Sequence, residues 1–514
     1  MFLLRNHALG SLLFAQLGWA GGYEMHFDLN GEDAARGFDR SERRALLSFR
    51  MAIDSQKPML VLEPGETYTS PAVHIGCIQG DLDDAVNAMH AHIRASVFTL
   101  PPARDMLGWV EAGVGPERVM DLPAIRHTAD TAAAVGAEIV IIDAGWSCPA
   151  GTEAAQWSRR AGDWQADVEK YGADMRLARD YIHSKGLLFG LWMDAERLGE
   201  ASQTYQAHPD WVAKGWRTGE RCSMIDMTNP AAAQWVESEI SRVIEAYQAD
   251  LFRLDYNIGS REICHRITTG GTDACGTIRY YQAAEAMYAR LRLKYPNVVF
   301  ENCAGGGGRT DLAFVRNFSH TWVSDWQIAP RSYAITNGMT MALPPEYVDR
   351  LVSGMNCHTR ASLAFQARHT LFGRPTTNTY HPLGCECNPD QLAFIRHTFD
   401  LYKEHVRPFM ARDGKIYHHT PEAFGLQPQG VGILERAAAD GRHGLIGVFQ
   451  LASPTQADIV IFPRGINAAL RYEITFDNTG AKVCVSGFTL CNAGLRVRLS
   501  AAMTSELILY RAAD

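Results

Sequence analysis

The chain has 514 residues, of which 46% are hydrophobic, 21% charged and 10% aromatic. That is enough for about two to four domains and too apolar for a disordered regulator. Lys plus Arg is 49 against 57 for Asp plus Glu, a formal charge of −8 with no long basic run, which excludes an electrostatic grip on nucleic acid or anionic lipid. Eleven scattered cysteines argue against a disulfide framework and for a reducing, cytoplasmic setting. No stretch approaches the ~18 apolar residues of a membrane span.

The first residues, MFLLRNHALGSLLFAQLGWAGG, have the outline of a secretory leader, but Asn6, His7 and Gln16 interrupt its apolar middle. The pattern then runs on with alternating faces, so 11–19 and 23–29 are predicted as strands around a turn at Gly21–Gly22. A further strand is expected at 59–62, a turn at Pro64–Gly65, and helical spacing over 81–95 before Pro101–Pro102. Residues 1–100 thus read as a β-rich domain with a linker helix.

From there to 411 the pattern changes. Short apolar runs at 138–142, 187–192, 251–254 and 298–300 alternate with helical stretches at 175–185, 231–247, 277–295 and 391–402. Near-continuous apolar strands followed by helices indicate parallel β. About eight such strands between 107 and 375 predict the α/β class and a closed (β/α)8 TIM barrel rather than an open doubly wound sheet. No GxGxxG follows the first strand, which disfavours dinucleotide binding. Residues 412–514 carry short strands at 431–434, 444–451, 459–462, 470–476, 497–499 and 506–510, with a turn at Asn478-Thr479-Gly480, an antiparallel β-sandwich.

In a barrel the reactive residues gather where strands end in βα loops. The polar residues there are Trp109 and Glu111, Asp143, Trp192 and Asp194, Asp255 in FRLDYN, Glu301 and Cys303 before the glycines, and Asp325 in HTWVSDW. Carboxylates from separate strands facing one cavity suit glycoside cleavage, one ionised to attack and one carrying a proton. Arg253, two residues before Asp255 on the same strand face, is expected to hold that carboxyl ionised or bond a sugar hydroxyl. Trp322 and Trp326 are expected to give Asp325 apolar surroundings. Trp109, Trp146, Trp164 and Trp192 are candidate platforms for the apolar face of a pyranose, with core packing the default for any one of them.

The CAGGGGR loop at 303–309 lacks the spacing of a phosphate-binding P-loop, and its glycines suit close approach of backbone to a ligand. His208, His265, His320, His381, His418–His419 and Cys385-Glu-Cys387 show no recurring ligand spacing. No metal or other cofactor is expected.

Taken in order, IIDAGW, GDW at 162–164, YIHSKGLLFGLWMDAE, HPDW, IDMTNP, FRLDYN, ENCAGGGGRTD and HTWVSDW resemble family 36 of the glycoside hydrolases, the α-galactosidase (melibiase) family of clan D. The resemblance implies a barrel between an amino-terminal β-supersandwich, here partial and apparently truncated, and a carboxyl-terminal sandwich. Position by position it implies Asp255 as nucleophile and Asp325 as acid/base. Trp109, Trp192, Arg253, Asn257, Cys303 and Gly306 match sugar-contacting positions, and Arg221 matches a substrate arginine with a one-residue gap. Many relatives carry two adjacent aspartates where this chain has Asp143 followed by Ala144; Asp194 is the candidate to substitute.

The expected function is therefore a retaining, exo-acting hydrolase of terminal α-linked galactose in oligosaccharides or glycoconjugates. The alternatives are an α-N-acetylgalactosaminidase or α-galactosaminidase, a raffinose-synthase-like transglycosylase, and a non-catalytic carbohydrate-binding protein. Strand edges left unpaired by a half-sandwich are a reason to expect self-association into a homo-oligomer.

Overall fold

Eight short segments of mostly apolar sequence form the centre of the computed structural model, which describes residues 1–29, 47–54, 60–98, 108–114, 120–152, 156–214, 221–257, 265–267, 271, 273–353, 360–378, 387–409, 413–453 and 458–513. The eight are β1 (Glu111–Val114), β2 (Ile139–Ile142), β3 (Leu188–Met193) and β4 (Leu251–Leu254), then β5 (Val299–Asn302), β6 (His320–Trp322), β7 (Val348–Ser353) and β8 (Arg374–Asn378). They pair in parallel in chain order and close where Thr376 on β8 lies opposite Glu111 on β1, so the fold is the (β/α)8 barrel expected. Ile139, Val140, Ile141 and Ile142 are all buried, as a strand covered on both faces requires.

The helices start and stop on local signals. Asn229 caps Pro230–Tyr247 by accepting from the Ala231 and Ala232 amides, with Pro at the first helical position. Asn388 and Gln391 form a reciprocal capping box on Pro389–His405. Gly136, at φ +78°, ends Leu122–Val135 in the left-handed conformation.

On the amino-terminal side, Phe2–Asn6, Ser11–Leu17 and Val73–Gln79 make a three-stranded antiparallel sheet, and Tyr23–Leu29 pairs with Leu47–Ile53. Residues 2–17 of the leader-like stretch form a hairpin, and the strands on either side of Gly21–Gly22 pair with other partners rather than with each other. The strand expected at 59–62 is not formed: residues 60–62 are irregular, and the sheet takes Val73–Gln79 instead, whose side chains alternate between more and less exposed. Pro101–Pro102 and Met59 lie outside the described residues. Leu12 and Phe14 pack with Ala85, Met89, Leu312 and Val315, which fixes this sheet to the barrel. On the other side a six-stranded antiparallel sheet covers a core of Ile446, Val448, Ile474 and Ile508, closed by the pair Ile459–Ile461 and Leu495–Val497. A short helix at Gly487–Ala493, capped by Ser486, stands where only strands were expected.

Candidate active site

Asp143 and Asp255 each follow the last residue of a barrel strand, β2 and β4, and Asp325 lies just past β6. All three line one pocket at that end of the barrel. Trp192, Arg253, Cys303 and Trp322 share it. So do Thr376, Thr377 and Asn378 of β8.

Both oxygens of Asp255 are anchored. Oδ1 accepts from the amides of Tyr256 (2.7 Å) and Gly305 (2.9 Å), and Oδ2 from Asn257 Nδ2 (2.8 Å) and Trp192 Nε1 (3.1 Å). Asp325 differs. Its residue is exposed, and Oδ1 accepts from Trp322 Nε1 at 2.8 Å. The glycine loop touches both carboxyls. Gly305 donates to Asp255, while a Cβ on Gly306 (φ +70°) would sit 2.3 Å from Asp325 Oδ2. Only glycine fits there. The loop is held from behind by Arg309, whose Nη1 donates to Glu196 at 3.0 Å and whose guanidinium lies 3.8 Å from the centre of the Tyr256 ring. Tyr280 and Tyr288 also bond Glu196.

Beneath the pocket lies a buried charge network. Arg253 donates through Nε to Glu301 (2.7 Å) and through Nη2 to Glu111, and its Nη1 lies 3.5 Å from Asp143 Oδ2. Burial works against the guanidinium charge, but Glu301, Glu111 and Asp143 outweigh it and hold the pKa well above the ordinary arginine value. Burial pushes the Glu301 carboxyl well above the usual range against the pull of Arg253, with Glu111 and Asp349 adding to the rise. Asp349 accepts from Arg374 (2.7 Å) and bonds His320 (2.6 Å), which together overcome its burial and lower its pKa. Burial also raises the Cys303 thiol, which therefore faces the pocket uncharged.

Several expectations are corrected by these placements. Trp109 precedes β1 and packs at the opposite end of the barrel against Ile139, Ile141, Leu251 and Val299, far from a sugar-contacting position. Trp146 and Trp164 are buried behind Trp192, with Trp146 Nε1 donating to the Trp192 carbonyl at 2.8 Å. Asp194 does not line the pocket. It is buried behind Asp255, accepting from Arg197 Nε (3.0 Å) and the Asn257 amide (3.2 Å), and burial followed by the charge of Asp255 raises its pKa to about 7. Arg253 meets Glu301, Glu111 and Asp143 rather than Asp255, whose partners are all N–H groups of other residues. Trp326 does not enclose Asp325; its ring is exposed. Arg221 forms backbone pairs with Lys214, and its side chain, like His381 and Cys385, lies outside the described residues. The sequence reading missed Thr376, Thr377 and Asn378; the run of three polar residues ending β8 was their signal.

Among the described residues one trio has donor atoms close enough for a metal: Glu111, Glu301 and His320, within 4.8 Å of one another. Arg253 bonds both glutamates, and Arg374 reaches Glu111 at 3.4 Å. The position of a cation is thus already taken by two guanidinium groups, and a divalent ion there would meet their repulsion.

Comparison with known proteins agrees with this geometry. The chain is 25% identical over 482 residues to an α-galactosidase of Escherichia coli, an alignment covering 90% of this chain and 62% of that protein. It is 27% identical over 468 residues to α-galactosidase 2 of Hypocrea jecorina, covering 87% and 59%. It thus spans about 60% of the length of these curated relatives. Among solved structures, the GH36 α-galactosidase AgaA of Geobacillus stearothermophilus in complex with stachyose superposes with a TM-score of 0.81 at 20% identity, covering 98% of this chain and 68% of that one. The melibiase family model matches residues 120–409, from the helix after β1 through all the remaining strands that carry Asp143, Asp255 and Asp325, and the chain belongs to that family.

Proposed function

We propose that this chain is a retaining, exo-acting glycoside hydrolase that releases terminal α-linked galactose. The observation that carries the reading is that Asp255 and Asp325, delivered by different strands, line one pocket on either side of the Gly305–Gly306 loop. The anchored Asp255 attacks the anomeric carbon, while the exposed Asp325 protonates the glycosidic oxygen and later deprotonates water. The pocket is floored by the buried Glu111 and Arg253, which suits one terminal sugar rather than a chain running through. Trp192 and Trp322 supply its aromatic walls. Asp143, just past β2, is the carboxylate the pocket has there, since the next residue is Ala144. Thr377 Oγ1 and Asn378 Oδ1 have no hydrogen-bond partner among the described residues, which leaves them free for sugar hydroxyls that the missing second aspartate does not bind. The names of the two relatives, both α-galactosidases, and the stachyose bound to the Geobacillus protein favour galactose.

A panel of aryl α-glycosides, followed by proton NMR, tests this. The α-galactoside is expected to be hydrolysed fastest, with α-galactose as the first anomer. A β anomer first, or faster cleavage of the N-acetylgalactosaminide, would overturn the assignment. On the same substrate Gly306→Ala is expected to lower kcat about 100-fold, the scale of an ångström-sized displacement of a reacting group, because the new Cβ would overlap Asp325. An unchanged kcat would mean the loop does not set the position of that carboxyl.

A further inference from the structure

We propose that Trp326 is the platform for the leaving-group sugar, the site for the residue immediately beyond the cleaved bond. The proposal rests on the α-galactosidase reading above and names the part of the substrate which that reading leaves unassigned. Ten of the eleven tryptophans fall among the described residues, and of these Trp326 alone is exposed, at 42%. An exposed indole offers a ligand a flat apolar face. Its place in the chain is next to Asp325, the carboxyl assigned to protonate the glycosidic oxygen. The leaving group departs from beside that carboxyl on the solvent side, and Trp326 is the exposed aromatic next to it in the chain.

The ring is also held still. Its Nε1–H donates to the Ile328 carbonyl at 3.0 Å, its backbone amide to Ser324 Oγ at 3.0 Å, and its carbonyl accepts from the buried Arg350 at 3.4 Å. The Arg331 guanidinium lies 4.3 Å from the ring centre and backs one face. A flat aromatic fixed at its edge and on one face has one face left for a ligand, and it loses little conformational freedom when that ligand stacks. The class of ligand follows from the reaction: a neutral sugar whose C–H face is apolar, such as the glucose of an α-galactosyl-glucose unit.

The test compares two substrates with the same terminal galactose. Raffinose carries a sugar leaving group, and α-galactosyl fluoride carries none. Trp326→Ala is expected to lower kcat/KM for raffinose roughly tenfold, the worth of one aromatic stack, while changing α-galactosyl fluoride less than about twofold, and Trp326→Phe should recover most of the raffinose rate. Equal losses on both substrates, or no loss on raffinose, would overturn the platform. Wild-type turnover of the fluoride shows that the galactosidase reading stands, so failure of the platform is separable from failure of that reading. A wild type inert to both substrates removes both.

Discussion

Asp255→Asn is expected to lose at least about 10³-fold in turnover of an aryl α-galactoside, the scale seen when a group acting on charge in the transition state is removed. Two physical effects combine. The amide is too weak a nucleophile to form the glycosyl–enzyme bond. It also fits its surroundings badly, because each oxygen of Asp255 accepts two N–H groups. Whichever oxygen becomes –NH2 points donors at donors, at a cost of about 1–3 kcal/mol for the polar groups left unpaired. The melting temperature should therefore fall along with the rate, and stability must be read beside activity. Asp255→Gly separates the two effects: in azide it should form β-galactosyl azide, because the anion enters from the face the carboxylate vacates. Retention of wild-type turnover in Asp255→Asn, or an α-azide from Asp255→Gly, would remove Asp255 as nucleophile.

The same residues show what a sequence can and cannot disclose. Asp255 was legible because it ends LFRL, a run that is apolar but for Arg253 and buried from end to end. A carboxyl at such a point can also be structural, as Asp194 after β3 is; what marked Asp255 was its company with Asp143 and Asp325. The barrel was legible because strands covered on both faces leave no polar alternation to misread. Pairing across strands was not legible. Arg253 and Asp255 do share a strand face, yet two residues along a strand is about 6.6 Å, and a guanidinium finds nearer partners sideways. Register puts Glu301 directly opposite Arg253 on β5, and no pattern within FRLDYN encodes that. Trp109 and Trp192 look alike as tryptophans beside apolar runs, but one precedes β1 and the other lies near the end of β3. One packs at the base and the other at the mouth. Asp194 was misplaced by a step of one residue. It follows Met193 out of β3 and turns behind Asp255, where Arg197 holds it. In the amino-terminal sheet, Val73–Gln79 was missed because His74, Gly76 and Gln79 dilute its β-branched residues; pairing with Ser11–Leu17, not propensity, makes it a strand.

Asp325→Ala is expected to behave differently from the Asp255 variants because the two carboxyls stand in different surroundings. General acid catalysis contributes about 10²–10⁴-fold, but only to the extent that the leaving group needs a proton. The loss should approach that range on raffinose and shrink on an activated aryl galactoside or on α-galactosyl fluoride. With the second step then limiting, a small anion can replace the water that Asp325 no longer deprotonates. The structure makes such rescue accessible: Asp325 is exposed, and its removal leaves Trp322 Nε1 without the acceptor it holds at 2.8 Å, a donor that an azide ion can meet. The product should be α-galactosyl azide, the opposite anomer from the Asp255→Gly product, since the anion now attacks the covalent intermediate from the side of the missing acid. Equal losses on all leaving groups with no azide adduct would show that Asp325 is not the acid/base. Two variants, one anion and two anomers thus report separately on the two faces of the same sugar ring.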